Sequence, residues 1–356
     1  MASNVNRSEH LFPFEWRLAD GFPAKGIVPN GLKVFGTFTC GGGSAMGYKL
    51  AGCDYLGGVE IDKKVGEVYC RNLHPRFFYN EDIRTFLARE DLPEELYNLD
   101  VLDGSPPCTL FSLNRGKKRE ESWGKQKAFK EGQEKQTIDD LVFVWADLVN
   151  KLRPKVCLME NVEGLAKGGA KKYLLEVVNR LGLYGYDVQA FVLDAQNMGV
   201  PQVRRRCFVI GRRKDLRLPP LTLDFNEPVI PFKDMRDQVH FGKIEELNLA
   251  MWKVRQAGDK SIGDTCLRTR RKTSGFSVWY VYDSLPVPTI VTSRHVLFDS
   301  PRNMTDEEVL KAATFPVDYD WTGTDLQFLC GMCVPPVMTA QIAHQIHLQL
   351  FCKRKL

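Results

Sequence analysis

Leu32-Lys33-Val34-Phe35-Gly36-Thr37-Phe38-Thr39-Cys40-Gly41-Gly42-Gly43-Ser44-Ala45-Met46-Gly47 is the stretch whose reading decides the fold. The apolar run 32–38 predicts a strand. It enters three consecutive glycines, including Gly42 and Gly43, where a backbone can approach a ligand with no Cβ in the way. A helical pattern follows over 44–51. The next apolar run, 55–61, predicts a second strand. Glu60 near its end stands 17 residues after Gly43, the usual place for an acid that grips ribose hydroxyls. Asp82, after a short third strand at 77–79, can hydrogen-bond an adenine amine. Two ligands suit this loop, a nicotinamide dinucleotide and S-adenosyl-L-methionine. A glycine turn that holds no ligand is the bland alternative.

Outward from there the same texture repeats. A helix is predicted over 63–73, then a strand over 99–102 that ends in Asp103-Gly104-Ser105-Pro106-Pro107. A helix over 137–151 follows, with apolar residues at 138, 141, 142, 145, 148 and 149. A strand at 156–159, a helix at 171–181 and strands at 188–193 and 207–210 continue the alternation. Alternating strands and helices predict an α/β fold built on a doubly wound sheet, which binds ligands at the carboxyl ends of its strands. After Arg213 proline-rich turns appear at 218–220 and 228–231. A smaller, mixed second domain is therefore expected over 213–325, beside a catalytic domain of 1–212 completed by 326–356. The tail over 334–350 reads as helical. Residues 1–31 read as irregular, with Phe12, Phe14 and Trp16 packing onto the body.

The 356 residues are 44% hydrophobic, enough for a substantial core, and the net charge of +5 suits a polyanionic partner without the lopsidedness of a nucleic-acid coat. Ten scattered cysteines predict a reduced, cytoplasmic protein, not a disulfide scaffold. The N-terminus shows no apolar signal segment, and no apolar stretch approaches the length of a membrane span. Cys330-x2-Cys333 and His344-x2-His347 resemble zinc ligands only superficially, because their spacing departs from the finger pattern. No metal is expected.

Cys108 follows Pro106-Pro107 at a strand end. Two prolines stiffen the backbone there and present the thiol rigidly, and a thiolate is a strong carbon nucleophile. One thiol among ten can equally be buried and inert. Glu160-Asn161-Val162 follows the strand 155–159 at the same edge, where an acid can also be a helix cap. Gln202-Val203-Arg204-Arg205-Arg206 precedes another strand. In extended backbone Gln202, Arg204 and Arg206 share one face and Arg205 takes the other. Residues 115–135 carry eight Lys/Arg and four Glu, which reads as a lid over phosphates or as a solvated loop.

These segments, in this order, resemble the DNA cytosine-5 methyltransferase family across about 34–350. The loop 38–47 is similar to its donor block, with Phe38, Gly42 and Gly43. Glu60 with Ile61, and Asp82 with Ile83, are similar to its ribose and adenine contacts. The run 104–112 (GSPPCTLFS) resembles the Pro-Cys block, 160–162 its ENV block, and 202–206 its QxRxR block. The run 301–316 is similar to the block after the recognition domain, and 331–335 (GMCVP) to the final block. Three positions depart from the family: Cys40 for a glycine, Thr109 for a glutamine, and Met332 for an asparagine beside the donor's methionine moiety.

The resemblance implies a DNA (cytosine-5-)-methyltransferase with a Rossmann-like donor sheet. S-adenosyl-L-methionine is the implied donor, held also by Pro107 and Val334, and the substrate is a cytosine flipped out of double-stranded DNA. Cys108 adds to C6, Glu160 protonates N3, and Arg204 with Arg206 supports the O2 side. Ser112, Asn114, Gln202, Arg268, Arg270, Arg271 and Lys272 are the expected DNA contacts, aided by Phe276, Trp279 and Tyr280. A monomer on DNA and a cognate restriction endonuclease go with this reading. An RNA-directed relative and a non-catalytic DNA-binding relative are the alternatives. The tRNA-directed branch carries a Cys-Phe-Thr signature that this sequence lacks.

Overall fold

The computed structural model describes residues 10–107, 140–238, 244–269, 278–291 and 293–352. Seven strands form the main sheet: β1 Lys33–Thr37, β2 Asp54–Val59, β3 Phe77–Tyr79, β4 Val101–Gly104, β5 Val156–Val162, β6 Tyr186–Asp194 and β7 Arg205–Arg213. Their order is β3-β2-β1-β4-β5-β7-β6. The first five run parallel, while β7 is antiparallel to both β5 and β6. The sheet is mixed, with its topological switch between β1 and β4. Crevices outside the strand ends at such a switch are where α/β sheets bind ligands.

Both faces of this sheet are covered, and the central strands show how. Val34, Val101, Val156, Leu158 and Ile210 enter one hydrophobic core, while Phe35, Leu102, Cys157, Met159 and Val209 enter the other. Side chains alternate faces along a strand, so a strand buried on both sides must be apolar nearly throughout. Helices α1 Gly43–Leu50 and α2 Lys63–Leu73 cover the first face. Helices α3 Ile83–Ala88, α4 Leu141–Leu152 and α5 Lys171–Leu183 cover the second. Asp62 starts α2 by accepting the Val65 N–H, and His74 ends it in the left-handed region.

Two boundaries moved in ways that matter. The expected strand 156–159 runs on to Val162, so Glu160 and Asn161 lie inside β5 and not after it. The expected strand 207–210 begins at Arg205, because β7 pairs with β5 as far as Val162 opposite Arg206. The described part of the expected helix 137–151 begins at Leu141; residues 137–139 lie outside the described residues.

Residues of the range 213–325 contribute to two hydrophobic clusters. A third hydrophobic cluster is formed by Met251, Ile262, Cys266, Val278, Tyr280 and Val296, flanked by residues from Ile244 to Phe298. It holds α6 Glu246–Trp252, α7 Ile262–Arg268 and the two-stranded pair β8 Tyr280–Val281 and β9 Val296–Leu297. Leu221, Phe232, Met235, Val287, Ile290 and Val309 instead join the first large core. Helix α8 Asp306–Ala312 then leads to α9 Leu326–Met332 and α10 Pro336–Ile346, which packs along α1. The segment Leu326–Phe351 is long and apolar enough to cross a membrane, contrary to the expectation, yet its most apolar window is 89% buried. It is the central helical layer of the first core.

Candidate active site

A cavity opens where the chain leaves β1, β2 and β4. Phe38 to Cys40 and Gly43 to Ala45 line it after β1, Glu60 and Ile61 after β2, and Asp103, Ser105 and Pro107 at the end of β4. Phe328, Met332, Cys333 and Val334 close it from α9 and the turn beyond. Of the residues expected to hold a donor, Phe38, Gly43, Glu60, Ile61, Pro107 and Val334 are all in its wall. Glu60 is buried, and its carboxylate accepts the Cys40 N–H at 2.8 Å and the Asp62 N–H at 2.9 Å. Burial is the larger influence on Glu60 and raises its pKa despite these bonds.

Gly42, Asp82 and Ile83 are not in that wall. Gly42 sits at φ 82° as the N-cap of α1, and a Cβ there would meet Leu73 at 2.5 Å. Asp82 caps α3 through the Arg84 N–H at 2.8 Å and pairs with the Arg84 side chain at 3.2 Å. Ile83 is buried in the second core. The glycines also serve protein packing more than ligand approach. A Cβ on Gly43 would stand 2.1 Å from the Val334 carbonyl, and one on Gly47 would stand 2.4 Å from that of Pro336. Their absence of side chain lets the C-terminal turn and α10 lie on α1.

The donor set can be tested against its two expected ligands. Among the described residues no Lys, Arg or His lines the cavity, and two acids do. That suits a cationic donor such as S-adenosyl-L-methionine better than a dinucleotide, whose diphosphate brings two negative charges to a wall already acidic.

The edge expected to carry the chemistry lies beside the cavity. Asn161 Nδ2 donates to the Pro106 carbonyl at 3.1 Å, fastening the Pro106-Pro107 turn to β5. Sequence reasoning missed this anchor, although the ENV run contains it. Glu160 pairs with Arg206 at 3.0 Å, both nearly buried. Cys108 lies outside the described residues, one peptide bond after Pro107.

The three residues expected on one face have separate surroundings. Gln202 is fully buried: it donates to the Ala312 carbonyl at 3.1 Å and accepts the Ile290 N–H at 3.1 Å. Both ends of its amide are used inside the protein, which corrects the expected DNA contact. Arg204 is 1% exposed and donates to the carbonyls of Cys333 at 2.7 Å and Gly331 at 3.0 Å. It clamps the C-terminal turn that closes the cavity, so the substrate contact expected of it gives way to positioning. Burial, then the charge of Arg206, lowers its pKa to about 9. Arg205, exposed, pairs with Glu163 at 3.0 Å. Arg204→Ala leaves buried carbonyls without a donor, and stability should fall by on the order of 3 kcal/mol. Urea denaturation checks this; an unchanged midpoint would mean that Arg204 is not a structural clamp.

A wide cleft of about 740 Å³ runs between this edge and the third cluster, lined by Glu163, Arg205 and Arg206 on one side and Lys260, Trp279 and Pro286 on the other. Trp279, singled out in the sequence for its stacking surface, lies here; Lys260 was missed because nothing local distinguishes it. Arg268, an expected DNA contact, is engaged by Asp259 at 2.7 Å and by the Val254 carbonyl. Ser112, Asn114, Arg270, Arg271, Lys272, Phe276 and the loop 115–135 lie outside the described residues. Among the described residues no group of His, Cys, Asp and Glu is arranged to hold a metal ion.

Comparison with known proteins gives these observations a context. The family described as C-5 cytosine-specific DNA methylase matches residues 32–348. Type II methyltransferase M.HindV of Haemophilus influenzae is 27% identical over 328 residues, covering 88% of this chain and 96% of the relative. Type II methyltransferase M.Sau96I of Staphylococcus aureus is 33% identical over 205 residues, which is 57% of this chain and 44% of the relative. The chain thus spans nearly all of the first relative and under half of the second. Among solved structures, a DNA modification methyltransferase encoded within an E. coli prophage aligns with a TM-score of 0.62 at 18% identity, covering 89% of this chain and 99% of that one. A DNMT2 mutant from Spodoptera frugiperda aligns at 0.61 and 17%, covering 88% and 99%.

Proposed function

We propose, from the premise that this chain belongs to the C-5 cytosine-specific DNA methylase family, that it methylates C5 of a flipped cytosine in double-stranded DNA with S-adenosyl-L-methionine as donor. The observation that carries the proposal is the convergence at one sheet edge of the acidic donor cavity, the anchored Pro106-Pro107 turn and the Glu160–Arg206 pair.

The donor supplies an electrophilic methyl group on a sulfonium. Glu60 holds the nucleoside end through its ribose, and Phe38, Ile61 and Val334 enclose the base. Pro107 sets the start of the nucleophile loop against the cavity wall, and Cys108 adds through its thiolate to C6 of cytosine. That addition makes C5 electron-rich enough to take the methyl group, the pair of the broken C–S bond staying with the departing thioether. Glu160, oriented by Arg206, holds a proton at N3 as charge develops on the ring. Transfer of the C5 proton to a base then returns its electron pair to the ring and expels the Cys108 thiolate. The cleft between β7 and the third cluster receives the opened duplex, with Arg205 and Lys260 near phosphate and Trp279 offering a stacking face. Arg270, Arg271 and Lys272, with Ser112 and Asn114, belong to the same proposed DNA surface. The chain acts in the cytoplasm as a monomer on DNA, alongside a cognate restriction endonuclease.

Glu160→Gln keeps the shape of the pair and removes the proton carrier; kcat should fall by about 10²–10⁴ with a smaller change in KM. Tritiated donor with duplex DNA measures it, and a kcat within a few-fold of the parent would remove Glu160 from this role. The same assay with tRNA as acceptor tests the RNA-directed alternative. Bisulfite sequencing of DNA from an expressing host reports base and sequence context together.

A further inference from the structure

Asp103 is a buried acid that none of these steps uses. It is 3% exposed, yet its carboxyl belongs to the wall of the donor cavity. Tyr48 of α1 donates to its Oδ1 at 3.2 Å, and Ser44 at the start of α1 is its other hydrogen-bond partner. Among the described residues, Glu160 from β5 and the phenol of Tyr55 from β2 are the remaining titratable groups that face it. None of these is a cation, and among the described residues no cation lines the cavity elsewhere. A buried carboxylate without counter-charge is costly. Burial first, and the negative Glu160 second, push the Asp103 carboxyl from 3.8 to about 7, against the bonds from Tyr48 and Ser44.

Position adds direction to charge. The other acid of the cavity, Glu60, spends both carboxylate oxygens on backbone amides and marks the ribose end. Asp103 marks the opposite end, at the carboxyl terminus of β4, four residues before Pro107 and five before Cys108. A donor that delivers a methyl group beside Cys108 turns its charged end toward β4. Its sulfonium and ammonium then meet a wall in which Phe328 and Met332 offer no charge.

We propose that the Asp103 carboxylate is the counter-charge for the cationic methionine end of S-adenosyl-L-methionine. This rests on the donor reading above and assigns a binding residue that lies outside the motifs of the sequence. Donor binding selects the ionised carboxylate. Below about pH 7 the free protein holds Asp103 protonated, so binding there releases a proton and tightens as pH rises. The same sign holds for the free chain: the folded state binds more protons than the unfolded one between 3.8 and about 7, so its stability falls as pH rises through that window.

Calorimetry on the full chain tests it with two ligands, S-adenosyl-L-methionine and 5′-methylthioadenosine, which lacks the amino-acid end. In Asp103→Asn, affinity for the first should fall about tenfold or more, the worth of one charge-assisted contact, with the second unchanged within about twofold. Glu60→Gln should weaken both alike. The unsubstituted protein, read in buffers of different ionisation enthalpy, should release a proton on binding the donor between about pH 6 and pH 7. Equal loss of both ligands in Asp103→Asn, no loss of either, or donor binding without proton release would overturn the assignment. Failure of the unsubstituted chain to bind either ligand would overturn the donor reading itself, and is distinct because no substitution is involved.

Discussion

Cys108→Ala should transfer no measurable methyl group to duplex DNA, a loss of about 10³-fold or more, the scale on which enzymes fail when a covalent nucleophile is removed. Cytosine C5 is too weak a nucleophile to react unaided, and a methyl side chain cannot add to C6. The rest of the machinery should survive. The Pro106 carbonyl keeps its bond from Asn161, and the cavity keeps Glu60 and Asp103. Donor affinity by calorimetry should therefore stay near that of the parent while labelled methyl disappears from DNA. Label retained by the variant would transfer the nucleophile's role to another residue. Asn161→Ala makes an informative companion: it releases the turn without touching the thiol, so kcat should fall while the thiol stays available to alkylating reagents.

Arg302→Met should cost about 3–5 kcal/mol of stability, as expected when one partner of a buried ion pair is removed. Arg302 and Glu308 are 1% and 0% exposed and meet in a two-pronged pair at 2.6 and 2.7 Å. Glu308 does more than neutralise the arginine. It accepts the Thr305 N–H at 2.9 Å in the capping box of α8 and the Asp237 N–H at 3.0 Å. One carboxylate thus ties the chain entering the third cluster to the chain leaving it. With Arg302 gone, the charge is left buried without a counter-ion. Replacing both, as Arg302→Met with Glu308→Gln, should recover part of the loss, since the amide keeps one acceptor and brings no charge. Urea midpoints of the three proteins decide it; a single variant as stable as the parent would make this pair dispensable.

Much of the architecture was legible because burial on both faces forces a readable pattern. The apolar runs at 32–38, 99–102 and 156–159 leave little besides strands, and α2 falls at 63–73 where its pattern places it. The cavity residues Phe38, Glu60 and Pro107 were legible for a related reason: they follow strand ends, where the topology concentrates ligand contacts, whereas Val334, in the turn after α9, was legible only through the resemblance of the 331–335 block. Less legible were side-chain directions in irregular backbone. Alternation predicted a shared face for Gln202, Arg204 and Arg206, but only β7 from Arg205 onward is regular strand. Arg206 therefore reaches Glu160, while Arg204 and Gln202 turn inward to carbonyls more than 80 residues away in sequence.

By itself the sequence determined that a Rossmann-like sheet forms, that its strand ends carry a donor loop and a Pro-Pro-Cys turn, and that these stand in the order of one family. The alternation of strands and helices rests on local periodicity, which a linear chain records directly, and the donor sheet and block order rest on the resemblance to one family. Only the tertiary structure decided which polar groups are free to act. It occupied Gln202 and Arg204 with backbone, gave Asp82 to a helix cap, and drew Asp103 into a cavity whose wall, among the described residues, holds no cation. Whether a buried donor or acceptor is already satisfied depends on carbonyls and amides brought from distant segments, and no local pattern specifies those partners. The parallel pairing of β1 and β4 at the switch point brings a strand residue, Asp103, into the cavity wall as a candidate donor ligand.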